Sequence, residues 1–311
     1  LHEDIKHERR KIDHLSAGVF TIAIAAIMAG MTALTTSSAT EIGLITALAI
    51  VATALFVFQE RRSPEPMISL KLWGRRPIAV ANGASLLGGM TMIGLTTFLP
   101  VYVQGVMRQS ALTAGFALSA MVLGWPVGAT LATYLLRPFG VRPVLVAGGA
   151  LIPVGALLFT LLGPDTHPFV AGAGSVVVGF GMGLLSNASL MLIQEIVEWS
   201  ERGSATASFL FARSLGGAFG ATIFGAVLNY GLLRSGGAVS SDQLRDLLSG
   251  ASHDMSMTGS VRAALEGSLH LTFVAMFVIA VLTAAITALA PKVKLTWRRD
   301  AGDAPAVESG L

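Results

Sequence analysis

Arg213 is the charged residue whose position in this 311-residue chain most needs a chemical explanation. It is the ninth residue of an apolar stretch that runs from about Ala205 to Tyr230 and holds no other charge. Placing a guanidinium that deep in hydrocarbon costs at least ~2.5 kcal/mol, so a partner or a water-filled cavity is expected. Two interpretations follow. Arg213 has a functional or gating role, or its long side chain snorkels, so that the charged group lies back at the membrane interface.

Polar and amphipathic side chains at similar depth are further candidates, and Asn187 is the most informative of them. Its amide needs a partner or a cavity if it lies among hydrocarbon. Each such group either contacts a substrate or forms a hydrogen bond between helices. The candidates we select as tentative pathway or gating residues, beside Arg213, are Asn187, Gln104, Trp125 and Asn82.

A glycine-rich string follows Arg213 and predicts close helix packing. Gly216 and Gly220 are four residues apart, and Gly217, Ala221 and Gly225 repeat that spacing. Small residues at this spacing expose bare backbone on one helix face, so that a neighbouring helix can come close. A nucleotide-binding loop is not indicated, because no strand precedes the string.

Catalytic and metal-binding chemistry is not indicated. The chain has no cysteine, which excludes disulfides, thiolate ligands and thiol nucleophiles. Its six histidines lie in tails, in loops or at a span edge, without metal-ligand spacing on one helix. No acid lies inside a predicted span, although Glu41, Asp165 and Glu195 lie at span ends. We therefore predict that the protein is not an enzyme and that it holds no metal site and no bound cofactor.

The elements that position these residues are predicted to be membrane-spanning helices. Apolar residues make up 53% of the chain and charged residues 13%, about half the share in soluble domains. The charges are clustered, which leaves stretches near the ~20 residues that cross a bilayer. The fold class is thus an all-α membrane protein, with Pro126 and Pro153 as kinks inside spans. Eight spans are predicted, at about 15–36, 42–58, 78–103, 112–136, 144–162, 169–193, 205–230 and 269–290.

The distribution of Lys and Arg predicts the orientation. Most of the 21 basic residues fall on the side that carries both ends of the chain, which the positive-inside rule places in the cytoplasm. The net charge of +3 is therefore explained by topology and does not indicate a nucleic-acid partner. The predicted segments are a cytoplasmic stretch 1–14, two helices in 15–58, a cytoplasmic loop 59–76, a six-helix bundle 77–291 with an extracytoplasmic loop 232–268, and a cytoplasmic tail 292–311.

Several motifs resemble the fourteen-helix drug:proton antiporters of the major facilitator superfamily. The string from Arg202 through Gly220 is similar to the penultimate span of that family. Three further segments agree in order: residues 11–18 resemble the entry into the first linker helix, 65–73 the loop before the C-terminal half, and 102–115 the link between that half's first two helices. The superfamily's loop signature is only partly kept, because Arg137 occupies its aspartate position.

The resemblance implies two linker helices followed by the C-terminal six helices, arranged as two inverted three-helix repeats. An N-terminal six-helix half would be a missing partner, and would hold the coupling carboxylates. The implied function is proton-driven export of amphipathic drugs or other small organic compounds across a bacterial inner membrane, with lipid and a small substrate as partners and the proton gradient as energy source. The alternative is a non-transporting membrane module or truncated partner subunit that only packs against another half.

Overall fold

The computed structural model describes residues 14–33, 39–62, 70–234 and 255–292. Those residues form two compact units, divided between Leu72 and Trp73, and each is described by itself. Residues 1–13 and 293–311 of the predicted tails and residues 63–69 of the loop 59–76 lie outside the described residues. So do residues 235–254 of the predicted extracytoplasmic loop.

The first unit is a pair of packed helices, α1 (His14–Ala33) and α2 (Ala39–Arg62). Their best-defined contact is between the rings of Phe20 and Phe56, whose centroids are 4.9 Å apart. Most other apolar side chains of α2 are exposed, as in Leu44 and Ile50. Such an apolar surface is typical of a helix that faces lipid or another membrane helix.

The second unit is built from six long helices, preceded by the single turn α3 (Leu70–Trp73). A five-residue π-helical segment, Tyr102–Val106, continues the first long helix beyond Pro100. Proline removes a backbone donor, and a local change of helix type is a common response. The long helices are α4 (Arg76–Val101), α5 (Ala111–Phe139), α6 (Val141–Thr160), α7 (Pro168–Ile196), α8 (Arg202–Arg234) and α9 (Met255–Ala288).

Among the described residues, seven helices are long and apolar enough to cross a membrane. They correspond to the second through eighth predicted spans. The first predicted span corresponds to α1, whose described apolar part, Gly18–Gly30, is shorter than a span. Pro126 and Pro153 lie inside α5 and α6, so the prediction that they do not end spans is confirmed. The all-helical membrane architecture is therefore established, while the first predicted span, and with it the total of eight, stays a prediction.

The last helix begins much earlier than predicted. Residues 255–268 were assigned to an extracytoplasmic loop, but α9 starts at Met255. The prediction was wrong because it weighed the polar residues and overlooked the apolar residues of one helix face. Leu265, Leu269 and Phe273 recur every four residues and are almost completely buried. This start also places Glu266 on a helix, within the stretch 259–288 that is long and apolar enough to cross a membrane. That no acid lies inside a span stays a prediction.

The contacts among the six helices keep the same pattern when α4, α5 and α6 are exchanged for α7, α8 and α9 respectively. α4 packs against α8, and its counterpart α7 packs against α5. In the same way α6 packs on α7, and α9 packs on α4. The pairs α4–α7 and α6–α9 map onto themselves. The row α5–α7–α4–α8 therefore forms one side of the unit, with α6 and α9 behind it.

Bare backbone lets the two outer helices of this row lie very close to the inner ones. On α8, a Cβ added at Gly216 would collide with the carbonyl oxygen of Leu86 on α4. On α5, a Cβ added at Gly124 would lie 2.7 Å from the carbonyl oxygen of Val176 on α7. Each outer helix continues the contact one turn later, at Gly220 and Gly128 respectively. The matching i, i+4 glycines are a residue-level counterpart of the exchange pattern that sequence inspection alone missed.

Candidate functional site

Arg213 and Trp125, both singled out from the sequence, meet in the structure. The guanidinium carbon of Arg213 on α8 lies 5.6 Å from the centroid of the Trp125 ring on α5. That is within the range of a cation–π interaction, which gains strength where water is scarce. Both side chains are half-buried. Two residues from the opposite ends of the helix row thus form a single polar site.

The position of Trp125 fixes the depth of the pair. Trp125 is the middle residue of α5, which runs from Ala111 to Phe139, so each end of the helix is about 21 Å away. The guanidinium that lies beside its ring is therefore at mid-helix depth and does not reach back to a helix end. The ring of Trp125 thus gives Arg213 a partner at that depth. Both interpretations of Arg213, a functional role and a snorkelling or packing role, stay predictions.

The backbone behind each member of the pair is fixed by a neighbouring helix. The carbonyl group of Arg213 lies against Gly89 of α4, where an added Cβ would collide with the carbonyl oxygen. The carbonyl group of Trp125 lies against Gly183 of α7 in the same way. Arg213 and Trp125 therefore project from two helices that are each held close to the central α4–α7 pair.

No anionic partner of Arg213 is present among the described residues of the six-helix unit. The structure gives its side chain no hydrogen-bond acceptor and no carboxylate there, only the ring of Trp125. The ion pair between Arg75 and Glu201, at 3.4 Å, is exposed and lies where α4 and α8 begin. The N–H donors of Arg213 thus remain available to a ligand or to a group outside the described residues.

The space next to Arg213 is open along the same helix. A Cβ added at Gly217, one turn further along α8, meets no heavy atom within 4 Å. Ser214 is exposed, and Leu210 on the preceding turn is 45% exposed. Within the six-helix unit, the arginine therefore stands at the edge of an unfilled face of α8.

Asn187 forms hydrogen bonds between helices. Its Nδ2 donates to the carbonyl oxygen of Ala129 at 2.7 Å and lies 3.1 Å from Oγ1 of Thr133, both on α5. This satisfies the amide donor at membrane depth and ties α7 to α5 one turn from Trp125. The geometry supports the interhelical interpretation of Asn187 over direct substrate contact.

Asn82 belongs to a buried network that also includes two residues missed by the sequence analysis. Nδ2 of Asn82 donates to Oγ of Ser208 at 3.1 Å, and Nε1 of Trp73 donates to the same oxygen at 2.6 Å. The Oδ1 atom of Asn82 is buried without a partner among the described residues. Ser208 therefore joins α8, α4 and the turn that precedes α4, away from the Arg213–Trp125 pair.

Gln104 does not join the other candidates. It lies in the π-helical segment, and its Nε2 donates to the carbonyl oxygen of Pro100 at 3.3 Å, four residues back. Gly89, which contacts the backbone of Arg213, is fifteen residues earlier on the same helix, about 22 Å away. The structure thus assigns Gln104 a local bond at the far end of α4.

The glycine predictions divide into two groups. Gly216 and Gly220 make the close contacts with α4 that their spacing indicates. Gly217 and Gly225 do not, because an added Cβ at either position meets open space among the described residues. The reason is geometric: these two residues lie on the face of α8 that points away from α4.

At the opposite end of the unit, the π-helical segment Tyr102–Val106 contacts both α9 and the residues that follow α6, through contacts that the sequence did not indicate. Nε of Arg262 donates to the carbonyl oxygen of Val106 at 2.8 Å, and the Tyr102 hydroxyl donates to that of Leu162 at 2.8 Å. The Tyr102 ring also contacts Phe273, with centroids 5.3 Å apart. Over 259–269, apolar residues that lie buried recur between charged residues at helical spacing. That spacing is the sequence signal that could have revealed the earlier start of α9.

Within the described ranges, no three His, Cys, Asp or Glu residues come together. A sequence model described as the Major Facilitator Superfamily matches residues 15–221, which include the Arg213–Trp125 pair and five of the seven apolar span helices in full. This chain belongs to the Major Facilitator Superfamily. It is accordingly a multi-pass membrane protein of a transporter family.

Curated relatives of this superfamily member include transporters named for multidrug resistance. Multidrug transporter protein MdtP of Bacillus subtilis is 31% identical over 183 residues, which are 59% of this chain and 34% of that protein. Multidrug resistance protein 3 of the same organism is 31% identical over 231 residues, 72% of this chain and 44% of its own length. An uncharacterized MFS-type transporter of Mycobacterium tuberculosis is 33% identical over 236 residues, 74% of this chain and 34% of its own. The chain thus spans less than half the length of these relatives.

Proposed function

We propose that this chain is the C-terminal portion of a proton-driven efflux transporter of a bacterial inner membrane, which exports amphipathic drugs or other small organic compounds. The observation that carries the proposal is the Arg213–Trp125 pair, which puts a charge and an aromatic ring at mid-helix depth beside an open face. The names of the two Bacillus subtilis relatives support the substrate class.

The proposed architecture is two linker helices, α1 and α2, followed by a six-helix half that pairs with an N-terminal six-helix half. The limited share of each relative that the chain covers supports this division. The exchange pattern of helix packing supports two inverted three-helix repeats within the half. The exposed apolar side chains of α5, such as Leu123 at 70%, offer a surface to a second half or to lipid.

In the proposed mechanism the two halves rock against each other, so that the site opens alternately to each side of the membrane. Apolar surface would hold the substrate, while Trp125 and Arg213 would supply ring contact and charge. The carboxylate that links proton movement to transport would lie in the other half. This assignment rests on the scarcity of acids here: Glu41 and Glu195 lie at helix ends, and Glu266 lies toward the start of α9.

The alternative, a non-transporting module, shares the fold but needs no water-accessible site. It is not favoured, because a module that only packs gives no reason to hold an arginine without an anionic partner at mid-helix depth. It would also predict that no open reading frame for six further spans adjoins this one. The proposed transporter predicts such a frame directly upstream.

The test is export of N-phenyl-1-naphthylamine, a neutral aromatic amine, from cells that express the complete transporter, meaning this chain together with the proposed upstream helices. We expect efflux above that of cells with an empty vector, and we expect a protonophore to abolish it. Arsenate, which depletes ATP and leaves the proton gradient, should not. No efflux of this compound, or efflux that follows ATP instead of the gradient, would contradict the proposal.

A further inference from the structure

We infer that the Arg213–Trp125 pair is a binding subsite for the acidic group of an amphipathic aromatic anion. The inference rests on the proposed function and narrows its substrate class. It starts from the charge of the site: a guanidinium at mid-helix depth has the ring of Trp125 beside it and no anionic group among the described residues of the six-helix unit. A ligand of opposite charge complements this field, whereas a cation meets repulsion.

The contact with Trp125 leaves the donors of the guanidinium free. The attraction between a cation and an aromatic face is electrostatic, so it uses no N–H hydrogen bond. A guanidinium carries five N–H donors in a planar fork that matches carboxylate, sulfonate or phosphate oxygens. Trp125 therefore holds Arg213 across the helix row without consuming the groups that would bind an oxyanion.

The arrangement also suits an aromatic body attached to the acidic group. The half-buried indole of Trp125 offers a ring edge and a face beside the charge. The open space at Gly217 and the exposed Leu210 lie on the adjoining turns of α8. An acid on an aromatic skeleton can thus place its oxyanion at Arg213 and its rings against apolar surface.

The fixed backbone makes the subsite pre-organised. The carbonyl groups of Arg213 and Trp125 are each held against a glycine, Gly89 and Gly183, on the two central helices. Movement of either residue would require its whole helix to leave close contact. An anion then has to order only the side chain of Arg213 and not its backbone, which favours affinity.

Two fluorescent probes with one skeleton allow a direct test. 8-Anilinonaphthalene-1-sulfonate carries a sulfonate, and N-phenyl-1-naphthylamine is the same ring system without it. We would measure saturable binding of both to the complete transporter, purified and placed in lipid nanodiscs, with empty nanodiscs subtracted. We expect Arg213→Gln to raise the Kd of the sulfonate at least tenfold and that of the neutral probe less than twofold.

Further variants separate the anion site from a packing role. Arg213→Lys should raise the Kd of the sulfonate by an intermediate factor, because an ammonium keeps the charge but lacks the planar fork. Trp125→Leu should weaken both probes, since both use the ring. Arg137→Gln removes an exposed arginine from the last turn of the helix that carries Trp125, and should change neither Kd.

Three results would overturn the inference. The wild-type protein could fail to bind the sulfonate saturably, or Arg213→Gln could leave its Kd unchanged, as expected if a carboxylate of the other half already neutralises the arginine. The variant could also weaken both probes equally, which would indicate a folding role. Export of the neutral N-phenyl-1-naphthylamine is tested separately, so the proposed transport function stands or falls independently of these outcomes.

Discussion

The side chain of Ser208 joins three elements of the six-helix unit. It lies on α8 and accepts hydrogen bonds from Asn82 of α4 and from Trp73 in the turn before α4. Hydrogen bonds between membrane helices average about 0.6 kcal/mol and reach about 1.7 kcal/mol. We therefore expect Ser208→Ala to lower the free energy of unfolding by about 1–2 kcal/mol. Thermal unfolding of the purified protein in detergent would show this as a lower Tm.

Ser214→Ala is the matched control for this prediction. Ser214 is exposed, and its hydroxyl bonds only to the carbonyl oxygen of Leu210 on its own helix. Its removal breaks no contact between helices, so the Tm should stay near that of the wild type. Equal Tm values for the two variants would show that the Ser208 network contributes nothing to stability.

Residue types could be predicted as candidates, but their partners could not. Arg213 was identified because its charge is costly in hydrocarbon, and that argument needs no structure. Its contact with Trp125 depends on how α5 and α8 flank the central helices, which no local pattern encodes. Ser208 was missed for a related reason: serine is unremarkable in a span, and Asn82 and Trp73 are more than 120 residues away.

At the scale of single elements, two adjacent glycines on α8 give opposite predictions. An alanine Cβ at Gly216 would collide with the carbonyl oxygen of Leu86, so α8 and α4 would have to separate. Overpacking of this kind typically costs about 1–3 kcal/mol. We expect Gly216→Ala to lower folded yield, measured as the monodisperse fraction in size-exclusion chromatography of detergent extracts.

Gly217→Ala is the control, because an added Cβ there meets nothing within 4 Å. Its yield should equal or exceed that of the wild type, since alanine favours the helix more than glycine does. A lower yield for Gly217→Ala than for Gly216→Ala would mean that α8 packs through its other face.

Helix existence was predictable throughout the described part of the chain, because long apolar stretches have few alternatives to helix in a membrane. The faces and ends were less predictable. Small residues at i, i+4 spacing occur on two faces of α8, and only the position of α4 decides which one packs. The start of α9 was missed because residues 255–268 are polar on one side, although Leu265 is fully buried on the other.

At the scale of the whole molecule, the proposed orientation predicts where reporter fusions are active. Fusions after Arg142 and Pro291 should show cytoplasmic activity, because basic residues concentrate at those positions. Reporters fused at Thr40 and Asp242 should indicate the extracytoplasmic side of the membrane. Asp242 is not among the described residues. Cytoplasmic activity at Asp242 would contradict the eight-span topology.

We expect the face of α8 beside Arg213 to line a water-accessible pathway. The natural absence of cysteine from this chain permits a direct measurement, the labelling of Gly217→Cys by a charged, membrane-impermeant methanethiosulfonate. The complete transporter of the proposed function would be used, with any cysteine outside this chain replaced. Val154→Cys, at an exposed apolar position of α6, is the control for a site that faces lipid.

We expect Gly217→Cys to react with the charged reagent, and Val154→Cys to react only with a lipid-soluble maleimide. Water must reach the first position if Arg213 stands in an aqueous pathway, whereas a permanently charged reagent does not enter the hydrocarbon around the second. If both positions react with the maleimide alone, the face beside Arg213 is buried in lipid or protein, and the proposed pathway is wrong.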